Sequence, residues 1–223
     1  MNDYQKFIGY SRYSRWLDKE QRRENWEEVV NRYGHWMGIY LYEKYKYAIP
    51  EYLYAELINA IGQLEVMPSM RCLMTAGPAL DRTHVAGYNC AYLVVDNPRA
   101  FDETMYILMC GTGVGYSVEN KYISQLPVVG FKIEGDQPEI IVPDSKEGWA
   151  ISVRHMIDYL YEGYYPKWNT SRLRPAGARL KTFGGRASGP VPLENLFVFL
   201  TEVFRKAQGR KLTSLECHDI MCK

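Results

Sequence analysis

Cys90 is the side chain of this sequence best placed for chemistry. It stands at the entrance of a short, apolar, β-branched run, Tyr88-Asn89-Cys90-Ala91-Tyr92-Leu93-Val94-Val95, and a second run, Gly111-Thr112-Gly113-Val114-Gly115-Tyr116-Ser117-Val118, begins one helix-length later. Asp96 or Asn97 can cap that helix, Pro98 suits a first-turn position, and Gly111 ends it. The two runs read as strands, so a thiol and a glycine-lined turn should lie side by side at one end of a strand pair. A thiol there can act as a nucleophile or redox group, and the glycines allow a ligand to approach backbone N–H groups without interference from Cβ atoms.

The order of elements excludes the familiar phosphate-binding readings of those glycines. A P-loop runs strand, glycines, Lys-Ser/Thr, helix, so that a helix N-terminus faces the anion. Here the order is helix, glycines, strand, and on local grounds the segment is a tight helix-to-strand turn. A second candidate lies further on: Arg172, Arg174, Arg179, Lys181 and Arg186 share residues 172–190 with Gly177, Gly184, Gly185 and Gly189, without helical period. Arginine and glycine in one loop suit a phosphorylated ligand, and they equally suit a solvated basic surface.

The elements that must position these residues can be read in outline. Residues 1–17 are aromatic and basic without clear period, an arm packed on the body. A helical pattern runs from Asp18 to about Tyr47, with Gly34 and Gly38 as possible breaks. Pro50 opens an amphipathic helix whose apolar stripe is Leu53, Leu57, Ile58, Ile61 and Leu64. A strand is expected at 72–75, then a turn at Gly77-Pro78. Residues 126–142 read as loop and short strands. Asp144 or Ser145 caps a long helix that buries Trp149, Val153, Met156, Ile157 and Leu160 and stops at Gly163. Helices follow from Pro192 to Ala207 and from Thr213 onward. Strands and helices thus alternate behind a helical beginning, which predicts an α/β fold with a mainly parallel sheet.

Composition narrows the class. Hydrophobic residues make up 47% and charged residues 24% of 223 positions, as in an ordinary globular protein, and a formal net charge of +1 offers no global attraction to nucleic acid or an anionic membrane. Nineteen tyrosines, clustered between Tyr33 and Tyr54, suggest a partly wet helical surface. The five cysteines, Cys72, Cys90, Cys110, Cys217 and Cys222, follow no zinc spacing, so no metal site is expected, and their odd number argues against a secreted disulfide framework. No signal peptide or spanning apolar run is evident, so a reducing cytoplasm is the expected location. All the cysteines but Cys90 read as core residues.

Four stretches together resemble the ribonucleotide reductases, and most closely the adenosylcobalamin-dependent (class II) type that acts on ribonucleoside triphosphates. They are Pro68-Ser69 with Gly77, Asn89-Cys90, Gly111 to Ser117, and Arg174-Pro175-Ala176-Gly177 with Phe183-Gly184-Gly185-Arg186-Ala187-Ser188-Gly189-Pro190. The resemblance implies the N-terminal half of a ten-stranded α/β barrel (67–223) preceded by a helical section (1–66). It also implies thiyl-radical chemistry at the ribose, a redox-active cysteine pair and a thioredoxin-like reductant. Cys90 matches the first cysteine of the pair. Ser69, Asn89, Gly111, Thr112 and Gly113 match positions that hold the ribose and phosphates of the substrate. Residues 118–190 match the deoxynucleotide effector region, in which the loop bearing Arg174, Gly177, Lys181, Gly184, Gly185 and Arg186 relays effector identity to the substrate base. The second redox cysteine, the radical cysteine and most of the adenosylcobalamin contacts are expected on a C-terminal reductase fragment, and Cys217 and Cys222 are expected to pack. No ATP-cone pattern is evident, and the last residues read as cut rather than finished. Half of a barrel should also expose apolar strand edges. Two other readings stay open: a non-catalytic nucleotide-binding module, and the N-terminal part of a class I or class III reductase.

Overall fold

The computed structural model describes residues 1–180 and 185–223, which divide into two units, Met1–Asn89 with Leu180 and Gly185, and Cys90–Arg179 with Arg186–Lys223. The division falls after Asn89, where the sequence reading drew a line between 66 and 67.

In the first unit, α1 (Asp3–Ile8) and a π-helical turn (Gly9–Tyr13) lead into a hairpin of β1 (Trp16–Leu17) and β2 (Arg22–Arg23). The helix expected from Asp18 therefore starts later. Asn25 decides where: its side chain accepts the Glu28 N–H at 2.9 Å while the Glu28 carboxylate accepts the Asn25 N–H at 2.7 Å, a reciprocal cap that opens α2 (Trp26–Tyr45). Gly34 and Gly38 do not break α2. A Cβ on Gly34 would sit 2.2 Å from Ile58 Cδ1, so this glycine is a contact point for α3 (Glu51–Gly62) rather than a stop. Of the apolar stripe expected on α3, Ile61 is buried and Leu57 is exposed.

The strand expected at 72–75 is instead a short helix, α4 (Met70–Thr75), followed by α5 (Pro78–Arg82) and a 3-10 turn (His84–Gly87). Met70, Cys72, Leu73 and Met74 carry no β-branch to favour a strand, and a tertiary contact completes the helix. Arg32 donates to the Leu73 and Ala76 carbonyls at 3.0 and 3.1 Å, and Arg15 Nε donates to the Met74 carbonyl at 3.3 Å. These guanidinium groups satisfy helix-end carbonyls that lack intrahelical partners. Glu24 orients Arg32 through contacts of 2.8 and 3.0 Å, and both side chains are largely buried.

The second unit is built from two crossovers. β3 (Cys90–Val94), α6 (Arg99–Met109) and β4 (Gly113–Ser117) form a parallel pair with its connecting helix, and α7 (Asn120–Ile123) follows. β5 (Glu139–Ile141), α8 (Lys146–Glu162) and β6 (Lys167–Asn169) repeat the arrangement. α9 (Val191–Lys206) and α10 (Ser214–Cys222) complete the unit. The caps follow the sequence: Ser145 accepts the Gly148 N–H at 2.9 Å, and Gly163 closes α8 in the left-handed region. Val95, Phe101, Leu126, Met156, Ile157, Leu160, Phe197 and Phe204 form one core, with Trp149 packed at its edge. The α/β class and the parallel pairing are as expected. Among the described residues the strands pair two by two, in three sheets.

An ion pair between a buried carboxylate and a half-buried guanidinium ties α6 to α8. Arg154 Nε and Nη2 donate to Asp102 Oδ2 at 3.0 and 2.7 Å, and the Asp102 side chain is only 3% exposed. Asp102 Oδ1 is buried without a hydrogen bond among the described residues, so the carboxylate depends on Arg154. Arg154→Leu, which strands this carboxylate, is expected to cost about 3–5 kcal/mol, and the double variant Asp102→Leu/Arg154→Leu should cost less; urea unfolding of both checks the order.

At the start of α10, Arg210 meets the Glu216 carboxylate with two contacts of 2.7 Å, and Thr213 forms a reciprocal cap with it. The Arg210 hydrogen bonds, reinforced by Thr213 and partly opposed by burial, pull Glu216 down from 4.5 to about 2. A carboxylate lowered on folding stabilises fully above its unfolded value and loses that contribution as pH falls towards its folded value. The difference in urea midpoint between the wild type and Glu216→Gln should therefore be largest at neutral pH, shrink below about 4.5 and close towards about 2.

Candidate functional site

Cys90 and Gly113 are register partners at the first positions of β3 and β4. Alternation along a strand puts Cys90 and Tyr92 on one face and turns Ala91 and Leu93 to the other. Cys90 and Tyr92 are exposed, Tyr92 at 66%, whereas Leu93 packs on the core. The register partners of Cys90 and Tyr92 are Gly113 and Gly115, so a strip without side chains runs beside the thiol. The expected juxtaposition of thiol and glycine turn is present.

The turn itself differs from the expectation of free backbone donors. Gly111 adopts φ +83°, its N–H donates to the Leu108 carbonyl at 2.8 Å, and the Thr112 N–H donates to the Ile107 carbonyl at 3.3 Å. These donors close the end of α6 and do not face outward. Thr112 is buried at 1% exposure, while Gly111 and Gly113 are exposed. The turn thus offers a ligand its open shape at Gly111 and Gly113, not the N–H groups of residues 111 and 112.

Ser69 and Asn89 belong to the first unit, and both are exposed. Ser69 occupies the N-cap position of α4 without bonding that helix through its side chain. The Arg32, Arg15 and Glu24 clamp at the other end of α4 fixes the helix that carries it.

The basic loop is an antiparallel hairpin stem. Arg179 bridges Arg186, the Gly177 N–H donates to the Ala187 carbonyl at 2.9 Å, and the Ala187 N–H donates to the Ala178 carbonyl at 2.8 Å. Gly177 and Gly185 have positive φ. Arg174 is engaged with Asp144 at 2.9 and 3.0 Å, and Arg186 Nη1 donates to the Gly177 carbonyl at 2.9 Å. Two of the charges read as ligand contacts are therefore engaged with the chain itself. Lys181 and Gly184 lie outside the described residues, with Thr182 and Phe183.

The cysteines divide differently from the sequence reading. Cys110 and Cys217 are fully buried, and burial pushes the Cys217 thiol up to about 12. Cys72 is partly buried. Cys222, expected to pack, is exposed and lies beside Tyr116 and His218. Sequence reasoning also missed the Lys146 ammonium, which is 3.2 Å from the Cys110 sulfur. The only local signal for Cys222 was the His-x-x-x-Cys spacing on a helix; nothing nearby in sequence marked Tyr116 as its neighbour. Gly111 carries the site's one positive φ at the helix end, so Gly111→Ala should cost about 1–2 kcal/mol, with Gly111→Asn closer to wild type in thermal unfolding.

Comparison with known proteins agrees with the resemblance drawn from the motifs. Residues 129–204 match the family described as B12-dependent ribonucleotide reductase, insertion domain. The adenosylcobalamin-dependent ribonucleoside-triphosphate reductase of Lactobacillus acidophilus is 27% identical over 282 aligned positions, covering 96% of this chain and 38% of that protein. The Lactobacillus leichmannii protein of the same name is 26% identical over 277 positions, with the same coverage. The alignments are longer than the chain, so these relatives carry extra residues within the shared span. A crystal structure of a B12-dependent (class II) ribonucleotide reductase superposes with a TM-score of 0.84 at 26% identity, covering 96% of this chain and 39% of that one. The chain thus spans 38% of the length of the curated relatives it matches.

Proposed function

From a chain similar over 96% of its length to adenosylcobalamin-dependent ribonucleoside-triphosphate reductases, we propose that this is part of a ribonucleotide reductase in which Cys90 is one of two thiols that reduce the substrate ribose. The observation that carries the proposal is the pairing of Cys90 with Gly113: an exposed thiol at the end of a strand, beside a strip with no side chains to obstruct a nucleotide.

In this reading a ribonucleoside triphosphate lies against the Cys90 face. The shape of the turn at Gly111, Thr112 and Gly113 accommodates the sugar and phosphates, and Ser69 and Asn89 are substrate contacts on the strength of the family resemblance alone. Cys90 and a second thiol give up two electrons and two protons and become a disulfide. The 2′ C–O bond breaks, the hydroxyl leaves as water and a C–H bond takes its place. A dithiol reductant of the thioredoxin kind then restores both thiols by exchange. The second thiol would come from a C-terminal reductase fragment, and β3 and β4 would be strands of the ten-stranded barrel. Residues 118–190 would hold a deoxynucleotide effector, with the hairpin at Arg174, Gly177, Gly185 and Arg186 reporting its presence. A reducing cytoplasm suits a thiol that must be regenerated; no helix among the described residues is long and apolar enough to cross a membrane.

The corrinoid named in the relatives carries its cobalt in its own ring nitrogens, so what a protein must supply is a shaped cleft and not a cluster of ligands. The chain spans 38% of those relatives. In this reading most of the adenosylcobalamin contacts lie on the C-terminal reductase fragment, and the chemistry of that cofactor is not assigned to these residues.

The test pairs the chain with a polypeptide equivalent to the remainder of a relative, together with adenosylcobalamin, a dithiol and a ribonucleoside triphosphate. Wild type should form deoxynucleotide over many turnovers. Cys90→Ser should reduce multiple turnover by at least about 100-fold, since no disulfide can form at that position, while nucleotide binding in equilibrium dialysis stays within about twofold. Turnover that is indifferent to Cys90 would overturn the role given to that thiol, and nucleotide binding that never acquires activity would instead mark a non-catalytic binding module.

A further inference from the structure

Outside the Cys90 face, the second unit carries another cluster of reactive groups. His218 and Cys222 are four residues apart on α10, which puts them on one helix face. Tyr116 of β4 reaches both: its hydroxyl oxygen is 2.8 Å from His218 Nδ1 and 3.0 Å from Cys222 Sγ. The sulfur is also 3.6 Å from His218 Nε2, and both Cys222 and His218 are exposed.

A phenol has one proton and can donate only once. With both contacts made in the neutral cluster, the Cys222 S–H donates to the Tyr116 oxygen and the Tyr116 O–H donates to His218 Nδ1. Passing one proton along each link leaves a thiolate, an unchanged phenol and an imidazolium, with no net charge created. Burial, with help from the Cys222 contact and the nearby charge of Asp219, raises Tyr116 to about 12, so the phenol keeps a proton while it relays one. Asp219, next to His218 on α10, is a charged neighbour of this cluster.

We propose that Cys222 is a reactive thiol, distinct from Cys90, that His218 activates through the Tyr116 hydroxyl for mixed-disulfide formation with small disulfides. The thiolate attacks one sulfur of RS–SR, a new S–S bond forms to Cys222, and the old S–S bond breaks. The departing RS⁻ takes the proton held by His218 and leaves as RSH, so atoms and electrons balance without another oxidant. The proposal does not depend on the reductase reading. It makes Cys222 a site of reversible thiol modification at the contact of α10 with β4, the strand that pairs with the one bearing Cys90.

The experiment treats the full chain with excess 5,5′-dithiobis(2-nitrobenzoate) and follows each cysteine by peptide mass spectrometry. Cys222 should be labelled first at pH 7, on the order of tenfold faster than Cys90, the other exposed thiol. Tyr116→Phe and His218→Gln should each slow Cys222 by a similar factor and leave the Cys90 rate unchanged, with circular dichroism showing the fold retained. In wild type the rate at Cys222 should also persist to lower pH than the rate at Cys90, a readout that requires no variant. A Cys222 rate no greater than that of Cys90, or a Cys222 rate and pH profile indifferent to His218 and Tyr116, would overturn the proposal.

Discussion

Parallel strands cannot be joined by a tight turn, and the position of Cys90 depends on that constraint. The chain leaves β3 at its C-terminal end, returns along α6 and enters β4 at the end where β3 began, so Cys90 and Gly113 become neighbours only if α6 lies where the crossover requires. The apolar face of α6 supplies most of the adhesion, through Ala100 and Phe101 in the core. The Asp102–Arg154 pair then fixes its alignment on α8, because a buried carboxylate with one satisfied oxygen has few other acceptable positions. The open strip beside the thiol is thus held by contacts made on the opposite side of the strand pair.

The first unit solves a similar problem with different groups. α4 is too short to be stable by itself, since a few intrahelical bonds cannot offset the cost of nucleation. Its terminal carbonyls are taken by Arg32 and Arg15, and Glu24 keeps Arg32 in place. Desolvation, with repulsion from Arg32, lowers Arg15 to about 10, although Glu24 and Asp81 oppose the shift. Cations of this kind in a sequence look like ligand contacts or solvated surface. Here they are the cap of a helix.

That distinction recurs in the hairpin. Five basic residues in a glycine-rich loop suggested binding of a phosphorylated ligand, yet Arg174 is held by Asp144 and Arg186 by the Gly177 carbonyl. Asp144 lies one residue before the N-cap of α8, so the Arg174 contact joins the loop to the start of the helix that carries Arg154. In the described stem, arginine shapes the backbone that a ligand would meet.

Local chemistry in the sequence was enough to narrow the cap of α8 to Asp144 or Ser145, to start the last helix near Thr213, to close α6 at Gly111, and to give the β3–α6–β4 alternation with the Cys90 thiol beside a glycine-lined turn. Each follows from a few adjacent residues, because a helix end or a strand period is a short-range property. The motifs carried the family resemblance for the same reason. Only the tertiary structure decided that 72–75 is helical, that Gly34 is a packing contact and that Cys222 faces Tyr116. Those outcomes depend on partners far away in sequence: Arg32 and Leu73 are 41 residues apart, Arg154 and Asp102 are 52, and Tyr116 and Cys222 are 106. No local propensity encodes which distant group arrives, since that follows from how the apolar faces pack and which buried polar atoms must then be satisfied.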